Sequence, residues 1–164
     1  FKVSLESEKP VYMELLEQRK KGILPLIDIA GHTYTVDIRL NELRNSDNPN
    51  KKLGLDEMVT SPDGRHYLFF YNRESKSILH ASVDMVEVPQ KAVLVEIPDE
   101  LGLDPVGMAR KYGLRDEYFL KMHPYKEGLM ARITSIEKSG LPEYVAANQN
   151  LKGQPQQGMK SRKL

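Results

Sequence analysis

The sequence predicts an α+β fold: a single domain built mainly on an antiparallel sheet of about five to six strands, with short helices at the N-terminus, near residues 105–112 and near the C-terminus. Three observations carry this. LPLIDI and TYTVDIRL alternate apolar and polar residues on either side of Ala30, Gly31 and His32; HYLFFY and SILH flank the polar stretch around NRESKS; and a Pro and a Gly bracket the helical stretch VGMARKY. Period-2 patterns joined by turns make antiparallel sheet, and a few isolated 3.6-period stretches add helices to it.

After a strand expected at Phe1 to Leu5, Pro10 suits an early helical position. Val11 with Leu15, and Tyr12 with Leu16, form an apolar stripe at i, i+4. Arg19, Lys20 and Lys21 fall in the last turn, where cations suit the helix dipole, and Gly22 is placed as the left-handed stop. The predicted helix spans about residues 9 to 21. In the next element, a hairpin, a Gly31–His32 loop sets Ile29 against Tyr34 and Ile27 against Val36 on the core face, with Asp28 against Thr35 on the polar face. Residues 41–64 are rich in Asn, Asp, Pro, Lys and Gly, and read as a long polar surface loop containing one helical turn.

The second hairpin leads from Tyr67–Tyr71 through NRESKS into Ile78–Ala81, and a further strand is expected at VDMVEV, ended by Pro89. In its register His80 opposes Phe69 and His66 opposes Val83, so the two histidines lie on different faces. KAVLVEIP carries apolar residues on both faces, the pattern of a central strand. Asp104 as N-cap, Pro105 as N1 and Gly113 as C′ then define a short helix. RDEYFLKM suggests another helical turn, LMARITSI a strand and LPEYVAANQ a last helix. The tetrapeptide Leu-Gly-Leu-Asp occurs at Leu53–Asp56 and at Leu101–Asp104, but the residues after the two copies diverge at once, against an internal repeat.

The net charge of +1 conceals a division. Of 24 Lys and Arg, Lys152, Lys160, Arg162 and Lys163 follow residue 151, leaving 20 against 23 acidic residues, a body of net −3 with a basic tail at 152–164. With no cysteine, the chain has neither disulfides nor thiolate metal ligands, which suits a reducing compartment; the cytoplasm is the expected location. No apolar run approaches the ~20 residues of a membrane-spanning helix, and FKVSLESEKP lacks the apolar centre of a signal peptide. The start at Phe1 rather than Met suggests trimming.

No reaction motif is present: no GxSxG, GxxxxGK, GxGxxG or HExxH. His32, His66, His80 and His123 show no metal-ligand spacing and read as turn, sheet and loop residues. Asp28 and Asp37, together with a histidine, carry the only metal-dependent hydrolase reading, and alternate with apolar residues as solvated strand positions do. Asp99 and Glu100 remain for a basic partner or a cation. No catalytic residue, metal or cofactor is expected. The favoured function is a non-enzymatic accessory, adaptor or inhibitor module that binds a protein partner through the long loop and the tail, with Arg44, Lys51, Lys52, Tyr67, Lys160, Arg162 and Lys163 as contacts. The alternative is a nucleic-acid-binding protein using Arg19, Lys20, Lys21 and Lys152 with the tail, since phosphates need cations. Self-pairing of an exposed sheet edge would make a homodimer.

Overall fold

The structure, a computed structural model, describes residues 11–153; the strand expected at Phe1 to Leu5 and the tail beyond 153 lie outside them. The class is α+β, with two antiparallel sheets of four and five strands and several short helices. The strands expected in one sheet are therefore shared between two. The described chain forms two compact units, one made of residues 11–69 with Val95–Ile133, the other of Phe70–Leu94 with 134–153.

In the first unit, helix α1 (Val11–Lys20) ends where expected, and Gly22 closes it at φ +90°. Strands β1 (Leu26–Ile29), β2 (His32–Asp37), β3 (Glu42–Asn45) and β4 (Lys52–Gly54) form an antiparallel meander in that order. The β1–β2 turn is Ala30–Gly31, both at positive φ (53° and 85°), so Ile29 faces His32 and Ile27 faces Tyr34. The register predicted with Gly31–His32 in the loop is off by two residues. Because side chains alternate with period 2, a slip of two preserves the faces: Ile27, Ile29, Tyr34 and Val36 are all buried.

The long loop predicted over 41–64 is not a loop. It holds β3, β4, a 3-10 turn at Leu55–Glu57 and β5 (Val59–Thr60), with Leu43 paired to Leu53 and both fully buried. The turn at 46–51 joins β3 to β4. There buried Asn45 accepts the N–H groups of Asp47 and Asn48 on its Oδ1, satisfying a bend that the chain would otherwise leave unpaired.

The five-stranded sheet runs β5, β6 (His66–Asn72), β8 (Ala92–Pro98), β9 (Arg132–Ser135), with β7 (Ser77–Leu79) also paired to β6. The register of β6 with β7, Asn72 to Ser77 and Phe70 to Leu79, is the predicted one. β8 is central as its two-sided apolar pattern requires. Helix α2 (Glu100–Leu103) comes after it, then α3 (Pro105–Lys111), which ends at Gly113 with φ +71°. RDEYFLKM forms a run of turns, with Tyr118 N–H on Arg115 and His123 N–H on Phe119.

In the second unit, helix α4 (Leu141–Gly153) places Leu141 and Val145 against Ala92 and Ile136. VDMVEV is not a strand. Asn148 Nδ2 donates to the carbonyls of Ser82 and Met85 at 2.9 Å each, and Gln149 Nε2 to that of Val86, so this backbone is bonded to helix side chains instead of a sheet neighbour. Asn148→Leu strands two carbonyls, and a loss of about 1–3 kcal/mol is expected; amide exchange should accelerate first within residues 82–88.

Candidate functional site

The C-terminal turn of α1 meets the start of α3 at a buried ion pair. Arg19 Nε and Nη2 donate to Asp104 Oδ1 and Oδ2 at 3.1 and 2.9 Å, and the Tyr125 hydroxyl donates to Oδ1 of the same carboxylate. Arg19 is 5% exposed and Asp104 1%. Burial, then the Asp104 charge and hydrogen bond, push the Tyr125 hydroxyl well above the usual phenol range, so it remains a donor. Asp104 thus stands at the expected N-cap position, but its side chain makes no capping bond. Asp99 makes one instead, accepting the Gly102 N–H at the head of α2.

Two cavities share Arg19 and Leu24 as lining residues. The first, about 330 Å³, is mostly apolar, walled by Leu15, Ile23, Leu24, Leu26, Leu103 and Leu129, with Gln18, Arg19, Asp28, Thr33, Tyr125, Lys126 and Glu127 supplying polarity. Ile23 and Leu26 are more than half exposed, so apolar surface continues from the cavity to solvent. The second, about 460 Å³, is lined by Arg19, Arg39, Arg110 and Lys111 with Asp37 and Asp104. Gly107 leaves room for the Asp104 carboxylate: a Cβ on it would stand 2.4 Å from Asp104 Oδ2.

The predicted contact residues are dispersed. Arg44, half-buried, donates to Asp37 Oδ2 at 2.7 Å and to Glu42 Oε2 at 3.2 Å; Lys52 is exposed, 3.9 Å from Glu42; Lys51 is exposed in the β3–β4 turn. Tyr67 donates its hydroxyl to Glu100, and burial together with that carboxylate raises its pKa, so Glu100 is engaged as Asp99 is. Lys160, Arg162 and Lys163 lie outside the described residues. Of the basic run, Arg19 is inside the ion pair and Lys20 is 2.8 Å from Glu117, while Lys21 and, on α4, Lys152 are exposed. The dipole argument alone leaves Arg19 on the surface, although its i, i+4 relation to Leu15 puts it on the apolar face.

Asp28 and Asp37 do not converge: Asp28 Oδ1 accepts the Gly31 N–H, whereas Asp37 accepts Arg44 and the Leu40 N–H. Among the described residues no three His, Asp or Glu are grouped to hold a metal. His66 lies 3.3 Å from Asp63. For Asp37 burial acts to raise the pKa, but the hydrogen bonds from Arg44 and Leu40 and the charges of Arg44 and Arg39 outweigh it and hold the carboxyl below its ordinary 3.8. A depressed native pKa stabilises the fold above the unfolded value and loses that contribution as pH falls below 3.8. Asp37→Asn should therefore flatten the acid limb of stability, measured by denaturant titration at a series of pH values, and leave its slope near neutrality unchanged.

No helix among the described residues is long and apolar enough to cross a membrane. Comparison with protein-family models, with curated proteins and with solved structures finds no match to this chain.

Proposed function

We propose that this chain is a non-enzymatic binding module, an accessory, adaptor or inhibitor, for a protein partner. The observation that supports it is the apolar cavity beside α1, continuous with exposed Ile23 and Leu26. A cavity of this size whose exposed wall is mostly apolar suits one apolar anchor side chain, and anchors seated in pockets dominate protein–protein affinity. Lys51, Lys52 and the basic tail serve in this reading as outer contacts that raise association rates rather than as the core of the dock. The lack of cysteine favours a reducing compartment such as the cytoplasm. Direct nucleic-acid binding through the basic run is the less favoured reading, because Asp104 and Glu117 already neutralise Arg19 and Lys20.

The test is partner capture from native lysate with the full chain, with Leu26→Asp and with a chain ending at residue 153, each with and without nuclease. A single protein retained after nuclease treatment and lost with Leu26→Asp is the expected result. Capture that disappears with nuclease would replace this reading by the nucleic-acid one, and capture indifferent to Leu26→Asp would move the dock elsewhere. Leu26 is exposed, so the substitution should leave stability within about 0.5 kcal/mol of the parent.

A further inference from the structure

We infer that the cavity lined by Arg19, Arg39, Arg110, Lys111, Asp37 and Asp104 is an anion site for a phosphate monoester group. Asp104 is bonded to Arg19, Asp37 to Arg44, and Arg110 to Asp116 through Nε and Nη2 at 2.9 and 3.0 Å. Both carboxylates in the wall are thus already neutralised, and among the described residues Arg39 and Lys111 have no ion-pair partner. The wall therefore carries an excess of two positive charges facing one concavity.

A phosphate monoester at neutral pH carries close to two negative charges, whereas a lone carboxylate would leave one cation unmatched. The donor types fit as well. Guanidinium forks match phosphate geometry, and lysine adds a compact point charge. Arg19 and Arg110 are held by their carboxylates through Nε and Nη2, which leaves Nη1 of each outside the fork. Gly107 adds no side chain to the lining and leaves the Asp104 carboxylate its place beside Arg19. The site does not depend on the apolar cavity being a protein dock.

The experiment uses the full chain, isotopically labelled, titrated with inorganic phosphate, glycerol phosphate and a phosphoserine peptide while amide shifts are followed. The expected result is saturable movement of the Gly22, Arg39 and Gly107 amides. Arg39→Gln and Lys111→Gln, both at exposed positions, should each weaken binding about tenfold, the size of one lost charge-assisted contact; Lys138→Gln, exposed and outside the cavity lining, should not. Absence of saturable shifts at those amides, or an equal loss with Lys138→Gln, overturns the site. Tighter binding of the peptide than of glycerol phosphate would identify the source as a modified side chain of a partner, the reverse as a small phosphorylated molecule, and either supports the site.

Discussion

Replacing Asp104 by Ala should be among the most damaging single changes in this protein, costing about 3–5 kcal/mol, the range for breaking a buried ion pair from one side. The loss is expected because Arg19 would remain 5% exposed with its charge uncompensated, and Tyr125 would lose the acceptor of its hydroxyl. For a chain of this size that corresponds to a fall in melting temperature of roughly 6–20 °C. Arg19→Met should cost less, since the carboxylate keeps the Tyr125 donor, and Tyr125→Phe about 1 kcal/mol. The double change Arg19→Met with Asp104→Leu should be milder than Asp104→Ala, because no charge is then left buried. Denaturant unfolding of the four variants measures this order. If Asp104→Ala stays within about 1 kcal/mol of the parent, the pair does not hold the two helices as described.

Leu43→Ala is the second large effect, expected at about 2–5 kcal/mol. Leu43 is fully buried, paired across the meander with Val36 on one side and Leu53 on the other, and truncation leaves a cavity that two flanking strands cannot close. The same substitution in a mobile surface loop would change stability by no more than about 0.5 kcal/mol. Denaturant unfolding therefore discriminates between a meander and a loop over residues 41–64, and protected amides at Leu43, Asn45 and Leu55 would agree with the meander.

That region also shows why part of the fold is hidden in the sequence. β3 and β4 have four and three residues, so each offers at most two positions on its core face, too few for alternation to stand out against the Asn, Asp and Lys of the intervening turn. The α3 helix is legible because its signals are local: Pro105 at the first position and Gly113 past the end restrict the backbone regardless of what surrounds them. Hairpin faces are legible for a similar reason, since a two-residue slip leaves them unaltered.

The candidate site is not legible. Arg19 and Asp104 are 85 positions apart, and nothing local distinguishes a cation that will be buried from its neighbours Lys20 and Lys21 except the helical face it shares with Leu15. Asp104 misleads for the opposite reason. Its position satisfies a local capping rule so well that nothing points to a distant partner, while the cap of the preceding helix belongs to Asp99.

The interleaving of the two units governs how the protein can be made. Neither is a continuous stretch of sequence: residues 70–94 interrupt the first, and the second resumes only at 134. On a ribosome, which adds about 5–20 residues per second, the meander can form as soon as β4 has emerged, yet its unit stays incomplete until β8, α2 and α3 arrive. The early half of the second unit meanwhile waits for α4, the last of the described elements to be synthesised. Between those moments the apolar faces of Phe70, Leu79 and Val88 lack the Leu141 and Val145 side of their cluster. A fragment that holds either unit whole must also carry part of the other: residues 11–133 include 70–94, and residues 70–153 include 95–133.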